Sequence, residues 1–318
     1  MPHRPKLPDY KAFSIHHPAF LKPVRQALAY LLARVLLALA NRLSVPRLQW
    51  LGRTLGQVVY SVSKRDRRLC DVQLALALPE LDATARRRLG RACLQHQGMT
   101  LMETLAMPRL RREGAHWLSL EGDQALAALH AAGRGAILVT AHVANWELIL
   151  IALERLRIHG LAVVSTHTNP RINKLIGGIR RSEYMDIAER GSQSSPRQLL
   201  TSLKRGEVLI LANDVDIDAQ GVFVDFFGIP AHTPRGAASL ALKLGSPLMT
   251  YFDTRQPDGT HLIRFQEVPV TEATRAAPDP VQALTQAISD QTEAHIRAHP
   301  EQWVWNHPRW KRRPARRG

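Results

Sequence analysis

Apolar positions change period along the chain, and each change marks a structural boundary. Residues 26–40 (QALAYLLARVLLALA) are apolar almost without a break, interrupted by Arg34 and bordered by Lys22, Arg25 and Arg42. A second apolar stretch, residues 45–62, carries Pro46, Gly52 and Gly56 and runs into Lys64-Arg65-Asp66-Arg67-Arg68. From residue 69 to Met107 the spacing predicts two helices separated by a polar turn at 79–82. The second, over 83–105, places Leu89, Cys93, Gln97, Leu101 and Leu105 on one stripe at a four-residue step.

Beyond Gly135 short strand-like runs alternate with helical ones. Residues 136–141 (AILVTA) and 161–166 (LAVVST) read as buried strands, joined by a helix over 145–159 that stops at Gly160. Ser195-Pro196 opens another helix, with Ser at the N-cap and Pro in the first position, and Gly206 ends it. Residues 207–212 (EVLILA) form a third strand. A helix over 234–244, stopped by Gly245, precedes strands at 247–254 and 261–268. This alternation predicts an α/β sandwich whose ligands bind beyond the carboxyl ends of the strands. The chain shows no internal repeat or low-complexity tract, which argues against a solenoid.

Charge changes the picture at the two ends. The 318 residues hold 43 Lys+Arg against 27 Asp+Glu, a net charge of +16, with 45% apolar residues to build a core. Residues 1–68 contain 13 basic and 2 acidic side chains, and residues 307–318 contain 6 basic and none acidic. The stretch between them is nearly neutral, 24 basic against 25 acidic. A nucleic-acid reader carries its basic stripe on the folded domain, so no nucleic-acid partner is expected. A neutral body with basic ends suits an anionic membrane face, where each nearby Lys or Arg contributes about 1 kcal/mol. The expected organisation is a basic, membrane-associated segment 1–68 with an apolar helix at about 24–44, a body at 69–306, and a basic tail 307–318. Plain solvation of the tail is an equal alternative. The 26–40 run is shorter than the about 20 residues of a bilayer span and has no small-residue cleavage site after it. It suits a helix lying in the interface, one short span in which Arg34 snorkels, or a buried core helix.

Two cysteines, Cys70 and Cys93, cannot build a disulfide framework, and neither stands at metal-ligand spacing. The informative chemistry lies at a strand end: Thr140-Ala141-His142-Val143-Ala144-Asn145-Trp146-Glu147. His142 follows the strand, Asn145 suits the N-cap of the next helix, and Glu147 falls in its first turn. A carboxylate that holds one imidazole nitrogen leaves the other free as a base. The alternative is structural, since the helix dipole favours an acid in the first turn whatever its function.

The string His142–Glu147, with Asn145-Trp146 inside it, resembles the His-x4-Glu signature of the late lipid A acyltransferases of the lauroyl/myristoyl type. The similarity extends to ALALPEL at 75–81, LKRGEVLILANDVD at 203–216, VFVDFFGIPAHTPRGAASLALKLGSP at 222–247 and PEQWVWNHPRWKRRP at 300–314. The resemblance implies a glycerolipid-acyltransferase-like α/β sandwich with an N-terminal membrane-associated helical segment, at the cytoplasmic face of a bacterial inner membrane. It implies transfer of a fatty acyl chain from acyl carrier protein to a hydroxyl of a lipid A precursor, with no metal or bound organic cofactor. On that footing His142 is the general base and Glu147 orients it. Arg180 or Arg181 serves the oxyanion or an acceptor phosphate, Asp214 holds that arginine, and Asn145 belongs to the same substrate-binding edge. Ala141 and Ala144 stand where the family commonly has glycine, and Asn213 where proline often precedes the aspartate. Asn306-His307-Pro308-Arg309 departs from the usual basic pair after the histidine. The same scaffold also suits another glycolipid, a lysophospholipid or an aryl-lipid as acceptor, and the charged ends alone suit a non-enzymatic basic membrane adaptor.

Other residues carry weaker signals. Trp303, Trp305 and Trp310, interleaved with Arg309, Lys311, Arg312 and Arg313, read as an interfacial aromatic belt. Phe223, Phe226 and Phe227 beside Gly228 suit an acyl-chain wall or ordinary core. The isolated His167, His232 and His261 read as structural.

Overall fold

Four helices precede the first strand in the computed structural model, which describes residues 8–13, 19–113, 116–191 and 195–314. They are α1 (Lys22–Ala40), α2 (Val45–Val62), α3 (Lys64–Ala77) and α4 (Ala83–Arg112). Then come β1 (Leu118–Glu121), α5 (Asp123–Ala131), β2 (Ala136–Thr140), α6 (Ile149–Arg155), β3 (Gly160–Val164) and α7 (Pro170–Arg180). Next are β4 (Met185–Glu189), α8 (Ser195–Lys204), β5 (Val208–Ala212) and a hairpin of β6 (Gly221–Phe226) and β7 (Ile229–Pro234). The chain continues through α9 (Gly236–Leu244), β8 (Leu248–Arg255), β9 (His261–Glu267), α10 (Glu272–Ala276) and α11 (Pro280–Ala298).

Seven strands form one sheet in the order β1-β9-β8-β2-β5-β3-β4, parallel throughout except for the β8–β9 pair. Ile137, Val139, Leu209 and Leu248 share a core with Ala237, Ala238 and Ala241 of α9 and Leu284 and Ile288 of α11. Ala136, Leu138, Ile210 and Tyr251 share the opposite core with α4 and α6. Burial on both faces explains why β2 and β5 read as continuous apolar runs rather than alternating ones. This is the α/β sandwich that the alternation predicts.

Three elements differ from their sequence expectation for identifiable reasons. The helix expected at 145–159 opens as a 3-10 turn at Trp146–Leu148 and ends at Arg155. Arg157 takes a left-handed φ of 55°, and the Ile158 N–H turns back to the Leu153 carbonyl. The helix expected at 83–105 continues through Pro108 to Arg112, and Leu101 on its supposed stripe is 44% exposed. A four-residue step advances about 40° around a helix, so such a stripe winds off the buried face within a few turns. The helix expected from residue 234 starts at Gly236, because Pro234 is paired with Gly221 in the hairpin.

The N-terminal helices are fastened to this body. A Cβ on Gly52 would stand 2.6 Å from the Gly98 carbonyl oxygen, and one on Gly56 would stand 2.1 Å from that of Leu94. Only glycine lets α2 and α4 approach so closely. α1 is long and apolar enough to cross a membrane by length and composition. It is nevertheless tied down at both ends. Gln26 Nε2 donates to the Thr168 carbonyl at 3.0 Å and its own carbonyl accepts from Asn169 Nδ2 at 2.8 Å, while Asn41 Nδ2 reaches the Leu105 carbonyl at 3.3 Å. Its outer face leaves Val24, Leu28, Leu31, Leu32, Val35 and Leu39 exposed.

The interfacial belt expected at the C-terminal tryptophans does not form. Trp303, Trp305 and Trp310 are fully buried in a cluster with Phe226, Phe227, Leu69 and Leu74. Their basic neighbour Arg309 is buried as well, donating to the His232 carbonyl and the Thr233 hydroxyl, both at 2.6 Å. Phe226 and Phe227 are therefore core.

Candidate active site

Strand order assembles the site. β2 lies beside β5 in parallel register, with Thr140 opposite Ala212. His142 and Asp214 each stand two residues beyond that pair, so two separate loops deliver them to the same point at the carboxyl edge. The His142 Nδ1 and Asp214 Oδ1 atoms are 2.8 Å apart, and the His142 backbone N–H donates to Asp214 Oδ2, also at 2.8 Å. Trp303 donates its indole N–H to the same Oδ2 at 2.7 Å. The Asp214 side chain is sealed from solvent, whereas that of His142 is 28% exposed. The ring is therefore held from behind and open in front. Trp146 meets it edge-on, with centroids 4.8 Å apart.

Charge tunes both partners. Burial alone would raise the Asp214 pKa, but the His142 charge and the three donated hydrogen bonds outweigh it and hold the carboxyl at about 2. Burial alone would lower the His142 pKa. The Asp214 carboxylate outweighs that, Glu147 adds to it and Arg180 opposes it, leaving the imidazole above its ordinary value. Glu147 and Arg180 are thus close enough to act electrostatically on His142.

Those two residues form the second pair. Arg180 Nε donates to both Glu147 oxygens, at 3.1 and 2.9 Å, and its NH2 group also donates to Oε1. Arg180 is the last residue of α7. The pairing expected from the sequence is exchanged: Asp214 holds the histidine, and Glu147 holds the arginine. Arg181 follows α7, is exposed, and lines a surface cavity of about 810 Å³ together with Asp186, Arg197 and Arg205. The structure does not bring it to His142.

Asn145 does not cap a helix with its side chain. It is fully buried, and its Nδ2 donates to Glu103 Oε2 at 3.1 Å. This inward turn follows Ala144, which takes a left-handed φ of 40°. His261 is not isolated either, with Nδ1 2.7 Å from Asp253 Oδ2. Sequence reasoning missed Glu103 and Asp253 and placed Trp303 at a membrane interface rather than behind Asp214. A glutamate within the buried part of a long helix is the one local signal that could have pointed to Glu103. Among the described residues, no group of three or more His, Cys, Asp and Glu side chains is arranged to hold a metal ion.

The chain is similar to known acyltransferases. The chain is 28% identical over 279 residues to a lipid A biosynthesis lauroyltransferase of Escherichia coli, covering 87% of this chain and 89% of that protein. A lipid A biosynthesis palmitoleoyltransferase of the same organism is 25% identical over 284 residues, covering 86% and 88%. A phosphatidylinositol mannoside acyltransferase of Mycobacterium tuberculosis is 29% identical over 226 residues, 69% of each chain. The family model of the bacterial lipid A biosynthesis acyltransferases matches residues 15–312, and the chain belongs to that family.

Proposed function

We propose that this protein transfers a fatty acyl chain from acyl carrier protein to a hydroxyl of a lipid A precursor, with His142 as the general base. The observation that carries the reading is the His142–Asp214 pair at the open edge of the sheet. Asp214 accepts from Nδ1–H, which leaves the Nε2 lone pair facing outward. Nε2 takes the proton of the acceptor hydroxyl as its oxygen attacks the thioester carbonyl. The C–S bond then breaks, and the imidazolium returns the proton to the departing thiolate. Arg180, its fork fixed by Glu147, supplies positive charge for the oxyanion or for an acceptor phosphate. A related glycolipid is the second acceptor class, favoured by the 29% identity to the mannoside acyltransferase.

The site works at a lipid surface. α1 lies flat on the cytoplasmic face of the inner membrane with its exposed apolar face in the lipid and Lys22, Arg25 and Arg42 among the headgroups. Its two anchors, Gln26 and Asn41, are about 22 Å apart at 1.5 Å per residue. To leave the body as a span the helix has to break at least one of them, which supports the flat placement. Replacing Leu28, Leu32 and Val35 by Glu should abolish co-sedimentation with anionic vesicles, and unchanged binding would refute this placement.

Purified protein given lauroyl-acyl carrier protein should acylate a lipid A precursor, and His142→Ala should not. Transfer to mannosylated phosphatidylinositol alone would move the assignment to the second acceptor class. Equal turnover by the parent and His142→Ala would remove the base.

A further inference from the structure

Behind the site lies a second polar cluster, closed to solvent. Glu103 of α4 accepts from Arg255 of β8 through NH2 at 2.6 Å and Nε at 3.2 Å, and from Gln49 Nε2 at 2.9 Å. His261 Nε2 is 3.3 Å from Glu103 Oε1, while its Nδ1 contacts Asp253. All four charged groups are buried. Such assemblies are often no more stable than apolar side chains of the same volume. Stability alone is therefore a poor reason for this one.

Arg255 NH1 also meets His96 Nδ1 at 2.8 Å, and several further bonds converge on two residues, Asn145 and Ala144. Glu103 accepts from the Asn145 carboxamide, and Asp253 Oδ2 accepts from the Asn145 backbone N–H at 2.8 Å. Thr100, itself bonded to Arg255 NH2, donates its hydroxyl to the Ala144 carbonyl at 2.5 Å. The Ala144 N–H donates to the Gln302 carbonyl, and the Gln302 carboxamide is bonded to the backbone N–H and carbonyl of Arg255. The segment held in this way contains Ala144 at its left-handed φ, a conformation that persists only when its surroundings over-determine it. That segment separates His142 from Glu147.

We propose that Glu103 and Asp253 are positioning residues for acyl transfer, fixing the 142–147 turn through Asn145 and Ala144 so that the imidazole and the Glu147–Arg180 pair meet the same substrate. The inference rests on the reading of His142 as the base. A misplacement of about 1 Å at a reacting group costs on the order of 100-fold in rate, so loosening this turn lowers turnover rather than binding.

Four variants test it: Asn145→Ala, Thr100→Val, Glu103→Gln and Asp253→Asn. Glu103→Gln and Asp253→Asn keep the size of each side chain and remove the carboxylate that holds the turn. Each is assayed for kcat and KM with lauroyl-acyl carrier protein and a lipid A precursor, beside His142→Ala and a thermal melt. Asn145→Ala and Thr100→Val should lose about 10–100-fold in kcat per folded molecule, with both KM values within about threefold of the parent. Glu103→Gln and Asp253→Asn, where folded, should show the same fall in kcat with KM held. Should Glu103→Gln fail to fold, the two outer variants still decide. An inactive His142→Ala beside Asn145→Ala and Thr100→Val within twofold of the parent overturns the inference alone. An active His142→Ala overturns the base assignment and this inference with it.

Discussion

Asp214→Asn removes one charge and reverses one hydrogen bond at nearly constant size. Oδ2 already accepts two N–H donors, from the His142 backbone at 2.8 Å and the Trp303 indole at 2.7 Å. A carboxamide satisfies both only with its oxygen in that place, which turns its NH2 toward His142 Nδ1. The imidazole then accepts at Nδ1 and carries its proton on Nε2, the nitrogen that has to receive the acceptor's proton. The flipped amide instead opposes NH2 to two N–H donors, at about 1–3 kcal/mol for each group left unsatisfied. General-base catalysis is worth about 10²–10⁴ in rate, and this variant should lose that much, about 3–5 kcal/mol of barrier. The pH profile gives an independent reading. His142 must be neutral to act, and its raised pKa puts the parent's acid limb above 6.5. Without the carboxylate, burial is unopposed by its main partner and the limb moves to lower pH. Initial rates of acyl transfer per folded molecule, followed across the neutral range, test both. A variant within about tenfold of the parent with an unmoved acid limb would refute the reasoning.

Removing the second pair should have a different signature. Arg180→Ala and Glu147→Gln should lower turnover by about 10²–10³, in the range of a lost oxyanion partner, with the acid limb shifting less than in Asp214→Asn. Arg181→Ala should stay within about twofold in the same assay, since it faces a separate surface cavity. Gly56→Val should cost at least about 1–3 kcal/mol in denaturant unfolding, because its Cβ would stand 2.1 Å from the Leu94 carbonyl; an unchanged midpoint would contradict the close crossing. His261, held at about 9 between two carboxylates, contributes stability that is complete below about 6.5 and lost as pH rises through about 9. The thermal midpoint should fall over that window, and His261→Gln should flatten the dependence.

The strands that carry the site were legible because burial on both faces leaves an unbroken apolar run, as in 136–141 and 207–212. Their ends were legible for the same reason, and so His142 and Asp214 could each be placed at a carboxyl edge. Their partnership could not. It depends on β5 lying between β2 and β3, a long-range fact that no local pattern encodes. Proximity in sequence favoured Glu147 as the partner, and the left-handed turn at Ala144 sends the chain another way. The tryptophans misled through composition. Aromatics interleaved with arginines look interfacial until Arg309 is found buried, with its hydrogen bonds made to the β7 backbone and to Thr233.

Two separate ion pairs divide the labour of the site in a way that one dyad could not. Asp214 is fastened to the core by Trp303 and by the His142 backbone, at the end of a strand buried in mid-sheet, so the proposed base is mounted on the buried part of the sheet. Arg180 arrives instead at the end of α7, a helix with one buried residue, Ile179, whose N-cap Asn169 is hydrogen-bonded to Gln26 of α1. Had Glu147 held His142, the guanidinium would have no fixed fork, and any adjustment of α7 would disturb the imidazole directly. With the pairs separated, a shift of α7 with α1, the helix proposed to meet the lipid, leaves the tautomer of His142 set by Asp214. On the proposed mechanism the base is fixed by the fold, and the positive charge offered to the substrate sits on α7, the helix bonded to α1.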